Sequence, residues 1–243
     1  MAERVPSGPV WRALTGELDR SGGPGHRPAV LDVGGGTGVL AVPLATAGAT
    51  VTVIDASADA IATLQRRAVS AGVVEHVTGQ QGDLDAIPTA LDGARYDLVV
   101  CHSVLEYVDD PVLAARELAS VLGPGGALSV LVANRAAIVL ARALGGHFAA
   151  ARHAAADPHG RYAGSDPARQ RFDLTEVTVL LKDAGLLIES ARGVHVFTDL
   201  VPGAAVDGVP GAAEELQRLE DEVGETPPYR DFAAQLHVLA RRP

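Results

Sequence analysis

Residues 29–38 of this chain read Ala29-Val30-Leu31-Asp32-Val33-Gly34-Gly35-Gly36-Thr37-Gly38. The apolar residues around Asp32 predict a strand that is buried on both faces, as in a parallel sheet. The glycines that follow allow positive φ angles and let the backbone approach a ligand where a side chain would collide. We therefore predict an α/β fold whose strand-to-helix turn faces a nucleotide-like ligand, with the next helix starting near Gly38.

The spacing of the glycines separates two kinds of cofactor. The dinucleotide-binding fingerprint needs a glycine three residues after its second glycine. Here the residue three positions after Gly36 is Val39, and the stretch reads G-G-G-x-G. Oxidoreductase chemistry with a nicotinamide dinucleotide is therefore disfavoured. A purely structural turn would use the same glycines, so the assignment depends on the motifs that follow.

A second predicted strand, residues 51–54, ends at the carboxylate of Asp55. Both oxygens of a carboxylate accept hydrogen bonds, so an acid at this position suits the two hydroxyls of a ribose. Asp55 could instead cap the next helix, although Ser57 could fill that role equally well. We favour the ribose role.

Two further motifs follow in the same order. Gln81-Gly82-Asp83 comes after a short apolar stretch, and Asp83 could accept a hydrogen bond from the amino group of adenine, or belong to an ordinary Gly-Asp turn. A strand at residues 97–101 then stops at His102. This strand end lies at the carboxyl edge of the predicted sheet, where open α/β sheets bind ligands.

Taken together, these motifs resemble those of class I S-adenosylmethionine-dependent methyltransferases. The resemblance implies a Rossmann-like, seven-stranded, mostly parallel sheet flanked by helices, and S-adenosyl-L-methionine as the cofactor. A non-catalytic binding module would need a damaged ligand site, which the intact motif residues argue against. The implied cofactor contacts are Asp32, Gly34, Gly35, Gly36, Gly38, Asp55, Ala56, Gln81, Gly82, Asp83 and His102.

Later segments resemble the bacterial tRNA 5-carboxymethoxyuridine methyltransferase family, which esterifies the carboxylate of a modified wobble uridine. They are residues 102–108, 128–134, 193–199, 228–229 and 237–241. This resemblance implies tRNA as the partner and places Tyr107 and Asn134 on the substrate side, although Asn134 could equally cap a turn. A small-molecule O- or N-methyltransferase on the same scaffold is the alternative.

The chain departs from this family at three places. The family's cofactor-contacting arginine near the N-terminus has only Arg4 as a candidate here. Ala234-Gln235 stand where an Arg-Tyr pair is expected, and Tyr107 replaces a tryptophan.

The chemistry limits what the side chains must do. A carboxylate acceptor is ionised at neutral pH and needs no general base, whereas an amine or hydroxyl acceptor would need one. His102 contacts the cofactor by the family resemblance, but it could also be a base or an ordinary histidine at the sheet edge. The sequence therefore assigns no catalytic residue.

We predict a single methyltransferase domain over residues 1–243. It comprises a cofactor-binding half at 29–133, a helical or irregular lid insertion at 134–172 and a C-terminal completion of the sheet at 173–243. Predicted elements include strands near 75–79 and 127–133, helices at Ala58–Ser70, Pro111–Leu122, Asp173–Ala184 and Ala212–Val223, strands at Leu186–Phe197 and Gln235–Ala240, and a turn at Gly123–Gly126.

Composition restricts the possible partners and location. The formal net charge of −10 disfavours loose binding to nucleic acid. The lid insertion is the exception, because it contains six arginines and only two acidic residues, Asp157 and Asp166. The arginines are Arg135, Arg142, Arg152, Arg161, Arg169 and Arg171.

Other features predict a cytoplasmic protein without a metal site. We see neither a membrane-spanning run nor a signal peptide core. His147, His153 and His159 lack the acid or cysteine that would complete a compact metal site. The single cysteine, Cys101, is expected to be a small buried hydrophobe.

Overall fold

The computed structural model describes residues 7–23, 25–82, 91, 93–162 and 166–243. The helices in these ranges are α1 (Pro9–Ser21), α2 (Ala41–Thr46), α3 (Ala58–Ser70), α4 (Pro111–Ser120), α5 (Arg135–Leu144), α6 (Phe148–Ala156), α7 (Leu174–Asp183) and α8 (Ala212–Val223). The strands are β1 (Ala29–Val33), β2 (Thr50–Asp55), β3 (Val77–Gln81), β4 (Tyr96–His102), β5 (Leu122–Ala133), β6 (Leu187–Val194) and β7 (Gln235–Arg241). Short 3-10 turns cover Val74–His76, Gly203–Ala205 and Tyr229–Phe232.

The described strands form one mixed, mostly parallel sheet in the order β3-β2-β1-β4-β5-β7-β6. β1 pairs in parallel with both β2 and β4, and β2 pairs in parallel with β3. The register places Asp32 beside Val53 and Val100, and Asp55 beside Gln81. This confirms the predicted Rossmann-like sheet and brings the carboxyl ends of the first strands to one edge.

The chain divides into two compact units. The first contains the described residues up to 130 together with 180–189 and 239–243, and the second contains 131–179 and 190–238. The core of the first unit joins the sheet to α1, α2 and α3 through buried side chains such as Leu14, Leu44 and Leu64. Helix α1 has no counterpart among our predicted elements.

Several predicted boundaries are wrong by a few residues. The third strand, predicted at 75–79, is Val77–Gln81 because a 3-10 turn occupies Val74–His76. The helix predicted at Pro111–Leu122 ends at Ser120. Helix α3 has the predicted bounds, with Ser57 as its N-cap.

The turn predicted at Gly123–Gly126 is instead part of strand β5. The Gly125 N–H donates to the carbonyl of Arg242 (3.2 Å), and the Arg242 N–H donates to that of Gly126 (2.9 Å). A Cβ on Gly126 would lie 2.8 Å from the carbonyl oxygen of Tyr96. The glycines therefore permit close strand approach rather than a chain reversal.

The second unit contains the segment predicted as a lid insertion. Its predicted helical character is confirmed by α5 and α6, which pack against each other. The segment returns to the end of β5, where the Phe172 N–H donates to the carbonyl of Ala133 (3.0 Å). No helix in the described ranges is long and apolar enough to cross a lipid bilayer.

Candidate functional site

The turn after β1 is built so that glycine is required at two of its positions. Gly34 has a φ of 68°, and a Cβ there would collide with the side chain of Val104. Gly38 has a φ of 80°, and its Cβ would collide with Leu64. A side chain at either position would combine backbone strain with a steric clash. The sequence prediction of a backbone-lined turn at Gly34–Gly38 is consistent with this geometry.

An arginine that the sequence analysis missed holds the same turn from outside. Arg67 of α3 donates from Nη1 to both the Oγ1 (2.9 Å) and the carbonyl oxygen (3.1 Å) of Thr37. Thr37 lies between Gly36 and Gly38, so these bonds fix the middle of the loop. Arg67 is thirty residues away along the chain, and nothing in its local sequence distinguishes it from a solvated helix residue.

Asp55 lies directly beside the glycine turn. Its Oδ2 accepts a hydrogen bond from the Gly36 N–H (2.8 Å), and its Oδ1 accepts one from the Ser57 N–H (2.9 Å). The N-cap of α3 is Ser57, whose Oγ accepts from the Ala60 N–H (3.2 Å). Each carboxylate oxygen can accept a further hydrogen bond. Asp55 is therefore anchored in place and still able to accept hydrogen bonds from two hydroxyl groups.

Gln81 and Gly82 of the third motif contact Asp55 and Ala56 at the same edge of the sheet. The Gly82 N–H donates to the Asp55 carbonyl (3.1 Å), and Gln81 Nε2 donates to the Ala56 carbonyl (3.1 Å). The structure thus brings together Asp55, Ala56, Gln81 and Gly82, as the cofactor prediction requires. Asp83 and Arg4, which the sequence analysis also named, lie outside the described residues.

Asp32 is a buried carboxyl group beneath the glycine turn. It is 2% exposed, and its Oδ2 has no hydrogen-bond partner in the described part of the chain. A Cβ on Gly35 would collide with this carboxyl group and would lie 2.9 Å from Val53 Cγ1. Burial, together with the nearby charge of Asp55, raises the pKa of Asp32 to about 7. A positive charge nearby would therefore stabilise the ionised form of this carboxyl group.

Strand β4 brings Cys101 and His102 to this edge. Cys101 is fully buried, as we predicted, and burial, followed by the charges of Glu106 and Asp32, raises the pKa of its thiol, which disfavours the reactive thiolate. His102 is half-buried, and its Nε2 lies 2.8 Å from the Oγ of the fully buried Ser129 on β5. This bond orients the imidazole ring.

The two predicted substrate residues have different surroundings, and each stands in its own unit. Tyr107 is 52% exposed in the turn after β4. Asn134 is 2% exposed and caps α5, since its Oδ1 accepts from the Ala136 N–H (3.1 Å). Its Nδ2 donates to the carbonyls of Asp231 (2.9 Å) and Ala233 (2.8 Å). The capping alternative for Asn134 is thus observed, and its substrate role stays a prediction.

The positive segment of the second unit is partly neutralised. Arg135 pairs with Glu176, Arg161 lies 3.2 Å from Asp157, and Arg171 lies 2.6 Å from Asp166. Desolvation acts to raise the pKa of Asp166, but the hydrogen bond and charge of Arg171 outweigh it and lower that pKa. The three histidines of this segment belong to no cluster of metal-ligating side chains within the described ranges.

Comparisons with known proteins agree on the chemistry. A family model described as a methyltransferase domain matches residues 30–126. The chain is 30% identical over 234 residues to the tRNA 5-carboxymethoxyuridine methyltransferase of Escherichia coli O157:H7, covering 96% of this chain and 87% of that protein. It is 32% identical over 166 residues to the ubiquinone biosynthesis O-methyltransferase of Xanthomonas axonopodis pv. citri (strain 306), covering 68% of this chain and 65% of that protein.

A solved structure shares the fold. The magnesium protoporphyrin IX methyltransferase of Synechocystis PCC 6803 with bound SAH superposes with a TM-score of 0.62 at 20% identity. The superposition covers 96% of this chain and 82% of that one.

Proposed function

This chain belongs to the class I S-adenosylmethionine-dependent methyltransferases, and we propose that it forms a methyl ester on the carboxylate of a modified wobble uridine in tRNA. The observation that carries the proposal is the extent of the similarity to the tRNA enzyme. That similarity covers 96% of this chain and 87% of the relative, so it includes most of the second unit as well as the cofactor-binding part.

The residues at the sheet edge fit the cofactor of this family. Gly34 and Gly36 offer a turn that a backbone-contacting ligand can approach, and Asp55 has acceptor capacity for two ribose hydroxyls. The Oδ2 of Asp32, which no described residue hydrogen-bonds, belongs to a carboxyl group that can carry negative charge there. When bound, S-adenosyl-L-methionine supplies the methyl group and the positive sulfur from which it leaves.

The protein contributes mainly alignment and desolvation. Holding two reactants in line is worth up to about 7–11 kcal/mol in favourable cases. His102 is held by Ser129 at 2.8 Å, which supports a positioning role for its imidazole ring. A carboxylate acceptor is consistent with that arrangement, because it reacts without losing a proton.

A small-molecule O-methyltransferase is the second candidate. It is favoured by the 32% identity to the ubiquinone biosynthesis enzyme, compared with 30% to the tRNA enzyme. That match covers 68% of this chain, compared with 96% for the tRNA enzyme. We therefore rank it second.

The test is mass spectrometry of wobble-uridine nucleosides in tRNA from a strain that lacks this gene. We expect a methyl ester to be missing. Incubating that tRNA with the purified protein and S-adenosyl-L-methionine should restore the ester, with the mass gain of one methyl group. A nucleoside profile identical to that of the parent strain would refute the tRNA assignment and favour the small-molecule acceptor.

A further inference from the structure

Helices α5 and α6 differ in charge from the rest of the chain. Residues 135–156, which we call the α5–α6 hairpin, contain three arginines and two histidines and no Asp or Glu, in a chain whose net charge is −10. A polyanion is repelled by an acidic surface and is drawn to a local basic one. The hairpin is therefore a surface where a polyanion would meet favourable charge.

Two of the three arginines retain uncompensated charge. Arg135 is paired with Glu176, but no described carboxylate lies within ion-pair distance of Arg142 or Arg152. The guanidinium of Arg142 lies 3.8 Å from the centroid of the Tyr162 ring, and its buried Nε has no hydrogen-bond partner among described residues. Stacking on an aromatic ring holds an arginine in place while its charge stays available.

The tip of the hairpin carries large apolar side chains in water. Leu144 is 66% exposed and Phe148 is 67% exposed. Phe148 and Arg152 are four residues apart on α6, so they share one face of the helix. Arg152 is exposed, whereas Ala151 and Ala154 are buried and mark the side of α6 that packs against the protein. An exposed ring and a cation without an ion-pair partner among the described residues therefore project from the same surface.

We propose that the α5–α6 hairpin docks a single-stranded RNA loop, with a base stacked on Phe148 and backbone phosphates at Arg152 and Arg142. The RNA identity of the partner rests on the proposed function. Unstacked bases bind aromatic side chains and arginines in this way, and the contact tolerates different base sequences. A double helix is a poorer fit, because duplex RNA is recognised through its shape, across successive grooves.

The experiment measures binding of a fluorescent anticodon stem-loop RNA by anisotropy, without any methylation step. Phe148→Ala is expected to weaken binding by about 5- to 150-fold, the range for one stacked base. Arg152→Glu should also weaken binding, and Arg152→Ala should reduce the slope of log K against log salt by about 0.7, the value for one phosphate contact on a single strand. Leu219→Ala and Arg218→Glu, exposed residues of α8, are the matched controls and should bind RNA as the parent does.

Calorimetry with S-adenosyl-L-methionine checks that each variant is folded, since all five are expected to keep the parent's cofactor affinity. RNA affinity unchanged in Phe148→Ala or in Arg152→Glu would overturn the proposal. So would a change of oligomeric state, or a loss of binding to anionic vesicles, in the hairpin variants while RNA binding persists. These outcomes would assign the surface to a second copy of the chain or to lipid.

The two proposals can fail separately. If the stem-loop binds through the hairpin but the nucleoside profile of the deletion strain is normal, the RNA surface stands and the wobble-uridine reaction is wrong. If tRNA is methylated and the hairpin variants have the parent's KM for tRNA, the reaction stands and the docking surface is wrong.

Discussion

Asp32 and Asp55 of the first unit differ from Glu220 and Asn134 of the second unit in how far the chain itself uses their hydrogen-bonding capacity. In the first unit, the buried carboxyl of Asp32 makes no hydrogen bond to the described residues through Oδ2, and Asp55 keeps acceptor capacity after binding two N–H groups. In the second unit, the buried carboxylate of Glu220 and the buried amide of Asn134 are bonded to groups of the same unit. An unmade hydrogen bond costs free energy in a buried site. The unused acceptors of Asp32 and Asp55 therefore indicate a ligand, whereas the internally bonded side chains indicate a structural role.

Both carboxylate oxygens of Glu220 are used by the chain itself. Its Oε2 accepts from the Val196 N–H (2.7 Å), and its Oε1 accepts from the N–H groups of Phe197 (2.7 Å) and Thr198 (2.8 Å). The Thr198 hydroxyl adds a fourth bond at 2.9 Å. Successive backbone N–H groups of this kind form an anion-binding concavity. Here the chain's own carboxylate fills it and ties α8 to the turn after β6.

The largest effect on cofactor binding should come from adding a side chain to the glycine turn after β1. Gly34→Ala is expected to weaken S-adenosyl-L-methionine binding by at least about 100-fold, or roughly 2.7 kcal/mol, because its methyl group would collide with Val104 at a φ of 68°. Gly72→Ala has a similar φ of 72° and no atom near its Cβ, so it tests backbone strain alone. Calorimetry should show near-parental affinity for Gly72→Ala. Equal affinities for both variants would contradict the role of this turn.

Removing the proposed ribose acceptor, Asp55, should have the next largest effect. Asp55→Ala is expected to cost about 1.5–3 kcal/mol of cofactor binding, the usual cost of a lost charged hydrogen bond, or roughly 10- to 150-fold in Kd. Asp59→Ala removes an exposed carboxylate from the first turn of α3 and should leave Kd unchanged. A parental Kd for Asp55→Ala, measured by calorimetry, would remove Asp55 from the site.

Changing the internally bonded carboxylate of Glu220 should lower the stability of the protein without weakening cofactor binding. Glu220→Gln should lower the free energy of unfolding by about 1–3 kcal/mol and leave cofactor affinity unchanged, with Glu222→Gln on the same helix as the control. Burial acts to raise the pKa of Glu220, but hydrogen bonds from Phe197, Val196 and Thr198 outweigh it and lower that pKa.

The lowered pKa sets the direction of the pH dependence. A carboxylate whose folded-state pKa is lowered stabilises the protein above its unfolded pKa, near 4.3, and loses that contribution as pH falls through the folded value. In denaturant titrations, the difference between the parent and Glu220→Gln should therefore be full at pH 7 and shrink in acid. If the difference in unfolding free energy did not change with pH, packing of the Glu220 side chain, and not its charge, would be what stabilises α8.

The smallest effect is a pH dependence of cofactor binding that arises from Asp32. Because burial and Asp55 raise its pKa to about 7, Asp32 gains negative charge between pH 6 and 8 and should attract the positively charged cofactor more strongly. We expect Kd to fall by about tenfold over that interval, the limit for one titrating group. Asp32→Asn should bind with little pH dependence, and a flat parental profile would show that Asp32 does not sense the cofactor's charge.

The sequence predicted best the elements of the first unit whose signals are local. The run of apolar residues into Gly34 gives β1 its observed bounds, Ala29–Val33. Ser57 and the helical periodicity after it give those of α3. The meeting of Asp55 with Gln81 and Gly82 follows from parallel strands ending at one edge.

Contacts between distant segments could not be predicted in this way. Ser129 and His102 are 27 residues apart, and no pattern in either strand indicates their bond. The glycines at 123–126 have the composition of a turn, yet their conformation is decided by pairing with Arg242 at the far end of the chain. Asn134 likewise bonds to carbonyls nearly a hundred residues away.

The buried carboxyl of Asp32 also has a consequence for the lifetime of the protein in a cell. A buried acid without a partner makes the empty protein less stable, and a ligand that binds only the folded state stabilises it by mass action. Proteases act on the transiently unfolded population. We therefore expect the abundance of this protein to follow the supply of its cofactor, so that a cell short of S-adenosyl-L-methionine would degrade the enzyme faster.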